Sequence, residues 1–301
     1  MDAVILTRGL EKTYGRTQAL AGLDLEVRAG EVFGFLGVNG AGKTTTIRIL
    51  LDLIRPTAGS VRVLGLDPRR EGVALRRRLG YLEGEFSVEG RQTGHELLTH
   101  LGHLRGGVPS ARITDLADRL QLDLTRPIGT LSKGNRQKVG LIQAFMHEPE
   151  LLVLDEPTAG LDPFLQQEFV AMARAVVEQG RTVFMSSHVM SEVQKSADRV
   201  GIIRDGRLSG VDTVDSLRAS AIRQVEVVFA ARARTADFVG LPGVSDVRAD
   251  GAVLHCRLEG PADALVKALA AHDVLSLTSE EPDLEDVFFD RYSGERPEVA
   301  S

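Results

Sequence analysis

The sequence predicts an α/β fold, a largely buried parallel sheet that carries a phosphate-binding loop, followed by a small α+β domain of ferredoxin-like order. Three observations carry this expectation. Short apolar runs alternate with amphipathic segments over residues 1 to about 216. The text "GVNGAGKTT", Gly37 to Thr45, fits G-x-x-x-x-G-K-[ST] between an apolar run and a helical stretch. From residue 217 the pattern changes to β-α-β-β-α-β.

The first strand of interest is "EVFGFLG", an apolar run that delivers the chain to the phosphate loop, and "TTIRILLDLI" is the helix that leaves it. Gly37, Gly40 and Gly42 let the backbone of Val38, Asn39 and Ala41 curl, so that several N–H groups converge on one phosphate chain. Lys43 is expected to reach the β- and γ-phosphates of a nucleotide. The Thr44 hydroxyl is expected to bind Mg²⁺, with Thr45 next to it at the helix start.

Residues 85 to 148 read as a mostly helical insertion. Thr93 and Glu96 form a T-x-x-E capping box for "HELLTHLGHLRGG". His100 and His103 share a face of that helix, but no cysteine or carboxylate cluster joins them, and they read as a solvated surface. The stretch "LSKGNRQKVG" places Ser132 as a cap, followed by Lys133, Arg136 and Lys138. A helix start with free N–H groups and added positive charge favours an anion.

"LLVLDEP" is a buried strand that ends on two carboxylates, Asp155 and Glu156. In an open parallel sheet, ligands bind at the carboxyl edge, where the phosphate loop also lies. Asp155 then suits Mg²⁺, directly or through water, and Glu156 is placed to polarise a water attacking the γ-phosphate. "TVFMSSH" is a third buried strand and ends on His188.

Beyond residue 217, "VEVVFA" reads as a strand, "RTADFVGLPG" as a short helix and "VSDVRADGAVLHCRL" as a hairpin. "PADALVKALAAHDV" follows as an amphipathic helix and "LSLTSEE" as a final strand. No chemical motif falls in this part, which marks it as an accessory or interaction domain.

Composition narrows the class. At 301 residues and 43% hydrophobic, the chain can build two packed domains. No apolar run reaches the ~18 residues of a membrane span, and the first residues lack the basic and apolar regions of a secretion signal. The single cysteine, Cys256, excludes an internal disulfide and fits a reducing cytoplasm. A formal net charge of −6 argues against a nucleic-acid partner.

Taken together, residues 1 to about 216 resemble the ATP-binding subunit of an ATP-binding cassette (ABC) transporter. "GVNGAGKTT" resembles the family's Walker A, and "LLVLDEP" its Walker B followed by the catalytic Glu156. "LSKGN" resembles the signature LSGGQ, and "AGLD", ending at Asp162, the D-loop. His188 falls at the switch histidine and Tyr14, in "KTYG", at the aromatic residue that stacks on adenine. The resemblance implies a P-loop ABC ATPase domain over residues 1–216, with its helical subdomain at about 85–148, and an accessory domain over 217–301. It implies ATP and Mg²⁺ as ligands. It also implies a homodimer or heterodimer of ATPase subunits, in which Ser132, Lys133, Gly134 and Asn135 contact ATP held by the opposite subunit. The tail "EPDLEDVFFDRYSG" is similar to that of drug and lipid exporter ATPases, which implies integral membrane permease subunits as partners. The chain would then sit on the cytoplasmic face of the membrane.

The sequence departs from the family at three places. Lys133 and Asn135 replace a glycine and a glutamine of the signature. In "LGYLEGEFSVEG" the usual glutamine position aligns with Gly84. Glu85 beside it either takes over metal sensing or belongs to a solvated loop. The competing reading is an ABC ATPase of translation or repair; against it, the chain has no second phosphate loop and no sustained heptads.

Overall fold

The structure is a computed structural model that describes residues 3–84, 86–88, 90–219, 222–280 and Val287. The chain forms two compact units, Met1–Val211 and Asp212–Ser301.

The first unit opens with long strands β1 (Ala3–Tyr14) and β2 (Thr17–Arg28). Next come β3 (Val32–Leu36), α1 (Lys43–Leu50), β4 (Ala58–Val63), α2 (Pro68–Arg77) and β5 (Leu79–Leu82). Helices α3 (Gly94–Leu104), α4 (Ser110–Arg119) and α5 (Lys133–Phe145) make up the helical insertion. The chain returns through β6 (Leu151–Asp155), α6 (Pro163–Glu178), β7 (Thr182–Ser187), α7 (Met190–Ser196), β8 (Arg199–Arg204) and β9 (Arg207–Thr213).

Two sheets share this unit. One runs β2-β1-β4 and is antiparallel; the other runs β5-β6-β7-β3-β8-β9. Strands β5, β6, β7, β3 and β8 are parallel neighbours. Every residue of β3, β6 and β7 is buried, which is why these strands read as unbroken apolar runs rather than alternating ones. Within the core, Phe184 stacks on Phe33 and meets Phe35 at a tilt.

Register decides what meets at the carboxyl edge. Asp155 of β6 pairs with Ser186 of β7, and Ser187 of β7 pairs with Leu36 of β3. Three strand ends from distant parts of the chain therefore lie side by side, next to the loop that follows β3.

The Thr93–Glu96 capping box is present at the start of α3, with both reciprocal bonds made. Helix α5 lies close against β5. A Cβ on Gly140 would stand 2.6 Å from Leu82 Cδ1, and one on Gly80 would collide with the carbonyl of Ala144. Glycine on both faces of the contact lets helix and strand approach this closely.

The second unit contains α8 (Val214–Ala219), β10 (Arg223–Phe229), β11 (Val244–Asp250), β12 (Val253–Leu258), α9 (Asp263–Leu269) and β13 (Val274–Glu280). Its strands run in the antiparallel order β11-β12-β10-β13. The short helix expected in "RTADFVGLPG" is only a 3-10 turn, Thr235–Asp237. Gly240, in the left-handed region, and Pro242 prevent its extension. The tail "EPDLEDVFFDRYSG" lies outside the described residues except for Val287.

Gly80→Ala is expected to destabilise the chain by about 1–3 kcal/mol, because the added methyl meets backbone rather than a movable side chain. The midpoint of a denaturant titration measures this, and an unchanged midpoint would show that α5 and β5 separate freely.

Candidate functional site

The loop after β3 begins at Gly37, whose N–H donates to the Ser187 carbonyl at 3.3 Å. Gly42 caps α1 in the left-handed region, with φ 115°. A Cβ there would stand 2.8 Å from the Ala19 carbonyl oxygen, so glycine is required on two counts. Val38, Asn39 and Gly40 are exposed, whereas Ala41 is buried and anchors the loop.

Lys43 is the first residue of α1 and is buried. Its Nζ donates to the Gly37 carbonyl at 2.5 Å and lies 3.8 Å from Glu156 Oε1. Burial pushes the Lys43 ammonium below its ordinary pKa, against the opposing pull of Glu156 and Asp155. Thr44 Oγ1 donates to Asp155 Oδ2 at 2.9 Å, and Thr45 is half-buried beside it.

Asp155 is only 3% exposed. The Ser186 hydroxyl donates to its other oxygen, and the same hydroxyl accepts the Glu156 N–H at 3.1 Å. Glu156 then turns the chain with φ 49°, left-handed for an L-residue, at a cost of about 1–2 kcal/mol. That turn brings its carboxylate 3.0 Å from His188 Nδ1. Glu192 accepts from Thr158 Oγ1 at 2.6 Å and from Ser187 Oγ at 3.1 Å, and so holds together the two loops that carry Glu156 and His188.

The sequence-derived residues therefore fall into two groups. Lys43, Thr44, Asp155, Glu156 and His188 form one connected set at the carboxyl edge. Tyr14, at the end of β1, is 46% exposed, with Lys12 Nζ 4.9 Å from its ring centroid. Ser132 caps α5 by accepting the Asn135 N–H at 3.2 Å, and Ser132 and Lys133 are exposed. Among the described residues, no hydrogen bond or ion pair joins Ser132, Lys133, Gly134 or Asn135 to Lys43, Thr44, Asp155 or His188. Asp162 caps α6 through the Leu165 N–H at 3.0 Å.

Glu85 lies outside the described residues, but Gly84 does not. A Cβ at Gly84 would stand 3.4 Å from Asp155 Cγ, so this position adjoins the buried carboxylate and offers it no side chain. Ser186, Gln137 and Glu192 were not singled out by sequence. The serine carried a weak signal, a hydroxyl at the polar end of a buried strand.

The oxygens of Thr44 and Asp155 make a hard donor pair that fits Mg²⁺, an ion that takes few protein ligands and keeps phosphate oxygens and waters. The remaining groups can bind polyanions through the loop and Lys43, and can activate water through Glu156.

Comparison with known proteins gives the same direction. The family model described as "ABC transporter" matches residues 20–159. The daunorubicin resistance ATP-binding protein DrrA3 of Streptomyces coeruleorubidus is 40% identical over 72% of this chain and 71% of its own. The bacitracin transport ATP-binding protein BcrA of Bacillus licheniformis is 33% identical over 96% of this chain and 97% of its own. A solved structure described as an ATP binding subunit of an ABC transporter superposes with a TM-score of 0.66 at 27% identity. It covers 71% of this chain and 92% of its own.

Ser186→Ala is expected to leave the Glu156 N–H and one Asp155 oxygen unsatisfied, costing about 1–3 kcal/mol of stability. Turnover should fall together with the denaturation midpoint. A variant with wild-type stability and turnover would remove Ser186 from the site.

Proposed function

The chain belongs to the ABC transporter family, as an ATP-binding subunit, and on that premise we propose that it powers export of a drug-like cargo through separate membrane permease subunits. It is an ATPase of the cassette fold. The observation that carries the residue-level reading is the connected set Lys43, Thr44, Asp155, Glu156 and His188 at one sheet edge.

In this reading the loop from Gly37 to Gly42 offers its N–H groups to the phosphates of ATP, and Lys43 adds charge to the β- and γ-phosphates. Tyr14 supplies an aromatic face for adenine. Asp155 and Thr44 would hold Mg²⁺, which when bound neutralises phosphate charge. Glu156 accepts a proton from the attacking water. His188, whose Nδ1 lies 3.0 Å from Glu156 Oε1, orients that carboxylate and meets the γ-phosphate.

One phosphate loop and one signature turn per chain favour a head-to-tail pair with two ATP molecules at the interface. The exposed start of α5 supports this, because Ser132 and Lys133 are free to face a second subunit. The cargo path belongs to the permease; among the described residues no helix is long and apolar enough to cross a membrane. The relatives named for daunorubicin resistance and bacitracin transport support export of antibiotic-like compounds. Docking on the permease would place the chain at the cytoplasmic face of the membrane.

Purification from membranes tests the transport reading. A polytopic protein should co-purify, and ATP hydrolysis should fall at least ~100-fold in Lys43→Ala. Recovery with ribosomes or DNA instead would overturn it.

Glu156→Gln keeps the side chain's shape without the base, so unhydrolysed ATP should hold two chains together by mass action. Ser132→Arg in that background should restore ATP-bound monomer in sedimentation. If the permease is needed for pairing, the same comparison is made on the purified complex by cross-linking. Equal pairing of both variants would show that Ser132 does not close the site of the opposite subunit.

A further inference from the structure

Glu156 depends on its backbone being held in a conformation it does not prefer. Three groups hold it. The Ser186 hydroxyl accepts its N–H at 3.1 Å, and its carbonyl accepts the Ala159 N–H at 3.1 Å. The third is Gln137, whose Nε2 donates to the same carbonyl at 3.3 Å. Ser186 and Ala159 belong to the catalytic edge itself. Gln137 comes from α5, the helix whose exposed start carries Ser132 and Lys133.

Gln137 is only 5% exposed, although it lies near the start of a helix that opens to solvent. Its amide faces a carbonyl, so the N–H end is the one that satisfies both groups. A second approach ties the same helix to the same loop. A Cβ at Gly134 would stand 2.9 Å from the Gly160 carbonyl oxygen, so the first turn of α5 rests on the turn that follows Glu156. Helix α5 therefore cannot shift at its start without pressing on residues 156–160 or stretching the Gln137 bond.

We infer that Gln137 is a positioning residue that sets Glu156 through its carbonyl, so that seating of the α5 start on an anion is transmitted to this chain's own water-activating carboxylate. The inference rests on the role proposed for Glu156 and adds a route to it. When the α5 start closes over nucleotide held by a second subunit, the same helix adjusts the base of the first subunit's site. The two sites are then coupled through one side-chain hydrogen bond, without any contact between Gln137 and nucleotide.

The test compares Gln137→Met and Gln137→Glu with wild type, in the full chain with its permease, by steady-state hydrolysis and by amide hydrogen exchange. Gln137→Met keeps the volume but removes the donor. Its kcat should fall about tenfold or more, its KM for ATP should stay within about twofold, and amides of residues 156–160 should exchange faster. Gln137→Glu should show the same loss near pH 8 and recover relative to wild type as pH falls toward 6. The reason is that a protonated carboxyl regains an O–H donor toward the same carbonyl.

Wild-type kcat with unchanged exchange in Gln137→Met would overturn the inference. So would parallel losses in kcat and ATP affinity in both variants with no recovery at low pH, since that is the mark of a merely structural glutamine. Should Gln137→Met fail to fold, the pH-dependent recovery of Gln137→Glu decides alone. The exchange measurement needs no turnover. A wild-type chain that bound ATP without hydrolysing it would count against the ATPase role of Glu156, while exchange would still report whether Gln137 holds that backbone.

Discussion

Asp155 carries a carboxylate into the interior at the end of a fully buried strand, and burying such a charge costs several kcal/mol unless it is partnered. Its partners come from two other segments, Thr44 at the start of α1 and Ser186 at the end of β7. Neither would reach it without the parallel register that sets Asp155 opposite Ser186 and Ser187 opposite Leu36. The carboxylate thus makes sheet register and phosphate-loop position depend on each other. A slip of one residue in β7 would turn Ser186 to the other face and leave the charge unpaired.

The electrostatics of the neighbouring lysine follow from the same arrangement. Burial lowers the pKa of Lys43, and the attraction of Glu156 and Asp155 does not cancel that cost. A polyphosphate would add negative charge beside that ammonium, next to a loop whose Gly40 and Gly42 take left-handed conformations. The left-handed Glu156 belongs to the same economy of strain. It is tolerated because its N–H and carbonyl are both bonded to rigid elements.

Much of this was legible in the chain as text. Gly37 to Thr45, the run ending on Asp155 and Glu156, and the Thr93–Glu96 box are local patterns, and each has a local physical cause. Ser186, Glu192 and Gln137 were not legible, because their roles arise from partners 30 (Ser186 to Glu156), 34 (Glu192 to Thr158) and 19 (Gln137 to Glu156) residues away. Nothing in "MSSH" says which serine faces Asp155; pairing with β6 decides it. The helix expected in "RTADFVGLPG" shrank to a 3-10 turn for a local reason, since Gly240 and Pro242 stop it.

Gly84 shows how an absence in sequence acquires meaning from geometry. Its backbone is not in the left-handed region, and a Cβ there would make only ordinary contacts at 3.4–3.5 Å with Asp155. Neither conformation nor crowding demands glycine. The linker leading into the helical insertion thus passes Asp155 without a side chain at residue 84. The insertion touches the core elsewhere, through Arg105 to the carbonyls of Arg76 and Leu79 and through Arg119 to Glu168. Those bonds fasten it to the body of the sheet and to α6, away from the carboxylates. Among the described residues, the side-chain hydrogen bond that joins the insertion to the carboxyl edge of the sheet is the one from Gln137 to the Glu156 carbonyl. Gly80 and Gly140 let α5 lie close against β5, so a displacement of that helix would bear both on β5 and on the Glu156 carbonyl that Gln137 holds.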